Sequence, residues 1–383
     1  MTTQCSWNSL AVSGAMASLL VLILAGSCAR PAPPADKTDA AAPRWDRQAA
    51  ARYLDSREVW WQSWDRADKD RGTLCISCHT QAAYGLARPV LSQDLGEQGR
   101  TASEKVMLAS IEKRVRNWTQ VQPFYSDMIS GAGKEVESRD AESVLNAVIL
   151  TSYDVRQGSL GGTTRKAFDN AWALQSKTGP DAGSWIWQNF SYAPWESKES
   201  QYHWAALMAI AVGRAPDHYR DDPQIASNLA ALKGYLRGHY EAQPLLNKVV
   251  ALWASAAFPD LLSADQRARL IAQMGRLQHP DGGWCLTDLG PWSPRVDKTA
   301  PETRSDGYAT ALSVLVLEET GAENRAGPHV ARGINWLVAN QNRATGAWTA
   351  WSLNKNRNLG SDVGKFMSDA ATAYAVLALE ERR

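Results

Sequence analysis

Near the C-terminus the chain repeats itself at a fixed spacing, which restricts its fold more than any other feature. Arg304-Ser305-Asp306-Gly307-Tyr308-Ala309-Thr310-Ala311-Leu312 and the apolar run to Glu319 return at Met367-Ser368-Asp369-Ala370-Ala371-Thr372-Ala373-Tyr374-Ala375, running on to Glu381. A weaker copy runs from Glu199 through Gln201-Tyr202-His203-Trp204 to Ala211. Each copy reads as a helix apolar nearly all round, and such a helix has to be buried on every side. Asp306 and Asp369 lie 63 residues apart, and so do Gln278 and Gln341. Self-similarity of this period means stacked supersecondary units that share one core.

Amphipathic helices precede these copies and end in a glutamine followed by a glycine- and tryptophan-bearing turn: Gln175 to Trp185, Gln278-His279-Pro280-Asp281-Gly282-Gly283-Trp284, and Gln341 to Trp348. The chain carries 17 Trp against 5 Phe, as expected if indoles are built into a repeat. The turns resemble the QW motifs of the squalene–hopene cyclase and protein prenyltransferase superfamily. That resemblance covers most of the chain beyond about residue 100, and Gly333 to Trp348 is its best copy. It implies an all-α fold, an (α/α)6 toroid of outer and inner helices. Pairing outer with inner helices gives 48–66 with 78–91, 102–118 with 139–153, 164–177 with 199–213, 222–240 with 244–257, 263–278 with 305–319, and 326–341 with 366–382. On this count residues 45–383 form the toroid. The alternative is a cytochrome c-like domain over 45–135 followed by a squalene cyclase-like toroid over 136–383.

Arg71-Gly72-Thr73-Leu74-Cys75-Ile76-Ser77-Cys78-His79-Thr80 has the spacing of a c-type haem attachment site. Thioether bonds from Cys75 and Cys78 would fix one haem c, and His79 would ligate the iron. The motif falls at the start of the first predicted inner helix, within a haem-binding segment over 67–135. Pro89 resembles the proline that follows this motif in class I cytochromes c, whose carbonyl accepts a hydrogen bond from the ligand histidine. Two other readings of the cysteines stand beside haem: a Cys75–Cys78 disulfide, and a zinc site using Cys75, Cys78, His79 and Cys285. Met128, in the aromatic Pro123-Phe124-Tyr125-Ser126-Asp127-Met128 turn, is the preferred sixth iron ligand. Met107 falls in an amphipathic helical pattern that assigns it to the core, His203 is a further candidate, and an open iron is the remaining option.

The apolar stretch from Leu10 to Gly26 is short and broken by Ser and Gly, as in a signal peptide over 1–28. Leu24-Ala25-Gly26-Ser27-Cys28 resembles a bacterial lipobox. Acylation of Cys28 would turn the Pro/Ala-rich linker over 29–44 into a tether to the membrane surface, lipid-anchoring the protein to the outer membrane. Ordinary cleavage near Ala29 and an uncleaved anchor are the other two outcomes. Each version places the chain in the periplasm or cell envelope.

The net charge of +1 and the lack of a basic run exclude the electrostatic footprint of a nucleic-acid binder. No catalytic acid is identified. The acid motif of squalene–hopene cyclases has no match, Asp221-Asp222 reads as a loop, and Ser305/Asp306 and Ser368/Asp369 read as helix N-caps. The expected function is electron transfer with a redox partner protein, or oxidation of an apolar, isoprenoid-like small molecule. The alternatives are a non-redox binding or scaffolding lipoprotein and a terpenoid cyclase.

Overall fold

The computed structural model describes residues 44–380; the predicted signal peptide, Cys28 and nearly all of the linker lie outside them. The helices in chain order are α1 (Arg47–Gln62), α2 (Gln81–Asp94), α3 (Ala102–Arg116), α4 (Asp127–Ser130), α5 (Lys134–Gln157), α6 (Gly162–Leu174) and α7 (Ser200–Arg214). They continue as α8 (Ala226–His239), α9 (Leu245–Ala257), α10 (Ala264–Arg276), α11 (Gly307–Glu319), α12 (Pro328–Asn340) and α13 (Phe366–Leu379). Among the described residues the one two-stranded element is a hairpin in which β1 (Asp68–Lys69) pairs antiparallel with β2 (Thr73–Leu74).

Six helices form a closed inner ring. Packed side by side in the order α2, α5, α7, α9, α11 and α13, they return from α13 to α2. The amphipathic helices α1, α3, α6, α8, α10 and α12 lie against them as the outer layer. The fold is all-α, an (α/α)6 toroid, and each predicted outer–inner pair corresponds to an observed one. The boundaries differ at α5, which runs from Lys134 to Gln157, and at α2, which begins at Gln81 instead of at the second cysteine. Because α2 is a full member of the ring, the cysteine motif feeds straight into an inner helix.

Burial explains the composition of the ring. Every residue of α11 from Gly307 to Leu317 is buried, as sequence apolar all round requires. Two outer helices start on reciprocal capping boxes: Thr101 with Glu104 on α3 and Ser263 with Gln266 on α10.

The repeated turns are identical in their bonding. The glutamine Nε2 donates to the carbonyl of the turn glycine and to a backbone carbonyl at the next outer helix. Gln175 reaches Gly183 and Asn228 at 2.9 and 3.0 Å, and Gln278 reaches Gly282 and His329 at 2.8 Å each. Gln341 reaches Gly346 at 3.0 Å and Asp46 at 2.9 Å. The indole N–H of the turn tryptophan donates back to the outer helix just left: Trp185 to Ala171, Trp284 to Met274 and Trp348 to Leu337. The motif thus staples one outer helix to the next, and the Gln341 copy closes the circle, because Asp46 caps α1.

The turn glycines are required twice over. Gly183, Gly282 and Gly346 have φ of +99°, +93° and +81°, in the left-handed region that favours glycine. A Cβ on Gly346 would also lie 2.2 Å from the backbone of Ala49 in α1. Gly346→Ala is therefore expected to cost roughly 1–3 kcal/mol for the backbone conformation alone, and more for the displaced α1. Denaturant unfolding should show a lowered midpoint.

A second consequence concerns Glu58, fully buried on α1, whose Oε1 accepts from Gln62 and Gln81 while burial pushes its pKa up to about 7. A carboxyl with a raised folded-state pKa supports the fold fully below its unfolded value, about 4.5, and loses that support as pH rises through 7. Glu58→Gln is expected to raise the melting temperature relative to the parent at pH 8 and to lose most of this advantage at pH 5.

Candidate functional site

The segment before α2 is held on three sides. Arg71 and Gly72 turn the β1–β2 hairpin with φ of 59° and 63°. Thr73, buried in β2, accepts from Arg114 Nη1 at 2.7 Å, and Arg114 in turn forms a fully buried pair with Glu142 of α5. The Cys75 N–H donates to the Ala67 carbonyl at 2.7 Å, and the Cys75 carbonyl accepts from the Trp61 indole at 2.8 Å. Ser77 Oγ then accepts from the N–H groups of Thr80 and Gln81, which braces the turn leading into α2.

Cys75, Ser77 and His79 open onto a cleft with an open volume of about 930 Å3. Its walls are aromatic, including Trp61, Trp64, Tyr125, Trp195 and Phe366. The cleft sits where the segments leading into α2, α7 and α13 meet, at the mouth where these inner helices begin. The His79 ring stacks on Phe366 with centroids 3.7 Å apart and meets the edge of Trp61 at 5.5 Å. Cys78 is buried and is not among the residues lining the cleft, and the Cys75 and Cys78 thiols are not joined. Burial pushes the Cys75 thiol up to about 12 and raises Cys78 as well.

A buried relay orients His79. Burial raises the Asp369 pKa while the Arg57 charge opposes it; in its ionised form Asp369 can only accept, and Oδ2 takes the one proton of Thr80 Oγ1 at 2.7 Å. The 2.9 Å contact between Thr80 Oγ1 and His79 Nδ1 must then run from an Nδ1–H to the hydroxyl lone pair. The imidazole is thereby fixed as the Nδ1–H tautomer, leaving a lone pair on Nε2. Asp369 is held by Tyr53 OH at 2.8 Å and by Arg57 Nε at 2.8 Å, and Arg57 also pairs with Asp362 at 2.7 Å. Burial, together with the positive charges of Arg57 and Arg357, lowers the His79 pKa to about 3, so the ring is neutral across the working pH range.

Other residues singled out in the sequence fall elsewhere. Pro89 is buried inside α2 and does not accept from His79, whose Nδ1 faces Thr80. Without an N–H it leaves the Gly85 carbonyl short of its helical donor, and Ser152 Oγ of α5, which can donate its one proton to Gly85 at 2.5 Å or to its own Ile149 carbonyl at 2.7 Å, packs against it. The proline thus serves the α2–α5 contact. Met128 stands 96% exposed on α4, away from the cleft. Met107 is core, and His203 is fully buried within α7, where burial lowers its pKa to about 4. Cys285 Sγ contacts the Glu302 carbonyl at 3.5 Å, and among the described residues no three His, Cys, Asp or Glu side chains converge as a metal-binding group. Asp306 does cap α11, accepting from Tyr308 and Ala309, whereas Asp369 is taken up by the relay to His79 instead of capping α13.

Sequence reasoning missed the aromatic lining and Glu196. Val59-Trp60-Trp61-Gln62-Ser63-Trp64 was the available signal, since three indoles crowd the end of an outer helix where amphipathicity needs one. Glu196 is the one carboxylate among the described residues lining the cleft, and burial lifts its pKa to about 7.

No family model matches the chain, and no curated protein matches it. Solved glycosidase structures resemble it. One variant aligns with a TM-score of 0.50 at 12% identity, over 87% of this chain and 96% of that one. A wild-type glycosidase aligns at 0.49 and 13% over the same shares. The likeness is one of fold: an all-helical toroid.

Proposed function

We propose that the cleft holds one covalent haem c, joined through Cys75 and Cys78 with His79 on the iron, in a protein of the bacterial cell envelope related to the QW-repeat superfamily. The observation that carries this reading is the meeting of Cys75 and a neutral His79, its Nδ1 held by Thr80, at one aromatic cleft. These residues fit the group. Of the two thiols at the attachment spacing, Cys75 lines the open aromatic cleft beside His79, and the Nε2 lone pair is what a haem iron takes from its proximal histidine. Such a haem would supply one-electron chemistry. The protein would pass electrons to or from a partner protein, or oxidise an apolar molecule.

The chain's own residues have separable tasks. Thr80, Asp369 and Arg57 hold the imidazole, while Trp61, Trp64 and Phe366 exclude water from its surroundings. Glu196 can carry a proton beside the cleft near neutral pH. The zinc alternative is weakened because Cys285 lies apart, bonded to the Glu302 carbonyl. Glycoside hydrolysis canonically uses two carboxyl groups flanking the bond, and among the described residues lining the cleft Glu196 is the one carboxyl.

The optical spectrum of the protein exported by a host with c-type maturation tests this reading. A reducible c-type spectrum in the parent, altered in His79→Ala, is expected. A colourless, correctly folded parent would refute it.

A further inference from the structure

Three indoles crowd the end of α1, and keeping water from the cleft does not call for all of them. Trp60 and Trp61 occupy its last turn. The Trp64 N–H then donates to the Trp61 carbonyl at 3.2 Å and the Ala67 N–H to the Trp64 carbonyl at 2.7 Å, which folds Trp64 back onto the helix end. Trp61 and Trp64 line the cleft, whereas Trp60 does not. Trp61 is buried, Trp60 and Trp64 are half-buried, and Val59 next in the chain is 55% exposed. The three rings thus run from the cleft to the protein surface.

Their contacts are continuous. The His79 ring meets Trp61 edge-on with centroids 5.5 Å apart. Trp61 lies 5.3 Å from Trp64 and 6.1 Å from Trp60, and Trp64 stacks on Trp60 at 5.1 Å. These are the separations of aromatic rings in direct contact. An indole gives up one electron more readily than an aliphatic or phenyl side chain, and its oxidised form need not shed a proton. Phe366 packs against the same three indoles and has no such chemistry. The Arg57 guanidinium lies over Trp60 at 4.4 Å, where a bare cation would oppose oxidation of the ring. Asp369 and Asp362 hold that guanidinium and offset its charge.

We infer that Trp61, Trp64 and Trp60 form an electron route between His79 and the protein surface, so that a one-electron redox protein exchanges electrons with the haem at the end of α1. The inference rests on the haem reading for the centre at its inner end and on the indole contacts for the route. One electron crosses in each event: the partner is reduced as the iron is oxidised, or the reverse. The indoles finish as they began, no proton is released, and no covalent bond forms or breaks. The sequence Val59-Trp60-Trp61-Gln62-Ser63-Trp64 thereby acquires a reason for its third indole, which the cleft lining does not use.

A ruthenium polypyridyl photo-oxidant attached through Ser56→Cys in the full, haem-loaded chain tests the route. Ser56 is exposed and precedes Trp60 by four residues, one turn back on the same helix face. After a flash, the reduced haem should give an electron to the label, and Trp60→Phe/Trp64→Phe should slow that transfer about tenfold. The haem spectrum and reduction potential should stay as in the parent, because Trp61 and Phe366 still flank His79. Trp60→Phe alone, which leaves the cleft lining intact, should slow transfer about threefold and serves if the double variant does not fold. A haem-loaded parent whose rate neither variant alters overturns the route and leaves the haem reading standing. A parent without haem removes the centre at the inner end, and this port with it. The same label on the haem-free Cys75→Ala/Cys78→Ala chain examines the indoles alone. Repeated flashes in aerated solution should add oxygen to the buried Trp61, located by peptide mass, and Trp60→Phe/Trp64→Phe should lower the yield about fivefold. An unchanged yield overturns the route.

Discussion

Asp369→Ala is expected to destabilise the chain by about 3–5 kcal/mol, the usual result of removing one partner from a buried ion pair. Arg57 would remain 3% exposed and would keep only its outer contacts to Asp362. Tyr53 and Thr80 would lose their acceptor at the same time. The second effect is local. With no carboxylate to take its proton, the Thr80 hydroxyl can turn its hydrogen toward His79 Nδ1, and the tautomer is no longer fixed. In the haem-free Cys75→Ala/Cys78→Ala background, nitrogen-15 chemical shifts of the His79 ring should report a single Nδ1–H form, and a mixture once Asp369→Ala is added. Asp369→Asn, which retains an acceptor oxygen, should preserve more of both properties. An unchanged ring spectrum in Asp369→Ala would dismiss the relay, whatever the loss in stability.

Glu142→Ala is the other large expected loss, again about 3–5 kcal/mol. Arg114 and Glu142 are both fully buried and joined through two oxygen–nitrogen contacts, so the variant strands a guanidinium in the core. Arg114 also donates to Thr73 and to the Gln122 carbonyl, which ties the hairpin before Cys75 to the ring. Urea unfolding should show the lowered stability. Replacing both members with a matched apolar pair should recover much of it, because the desolvation cost of both charges disappears together. A Glu142→Ala protein as stable as the parent would show that the hairpin is anchored otherwise.

The toroid was legible because its signals are local. An inner helix such as α11 declares itself by being apolar all round, and each Gln–Gly–Trp turn carries its own bonds within a few residues, from Gln341 to Gly346 to Trp348. Register at α2 was less legible. Residues 78–80 form a turn braced by Ser77 Oγ, and α2 begins only at Gln81. Other features depend on contacts between residues far apart in sequence. Thr80 meets Asp369 across 289 positions, and no pattern around either residue announces the pair. Pro89 was read through its distance from His79, yet its position inside α2 makes it serve Gly85 and Ser152. Met128 has a plausible spacing for an iron ligand and stands in solvent, because α4 is a single exposed turn. Glu196 is conspicuous only once burial is known.

The glycosidase likeness bears on the scaffold alone, so the chemistry has to be argued from the cleft. There the cysteine spacing, the aromatic walls and the fixed imidazole lead to one account. The mass of the intact chain, exported by a host with c-type maturation and measured after denaturation, tests it most directly. The account predicts a parent chain heavier by one haem and a Cys75→Ala/Cys78→Ala chain without the addition. A denatured parent at the mass of the bare processed polypeptide, from a preparation in which a control cytochrome is loaded, would contradict it.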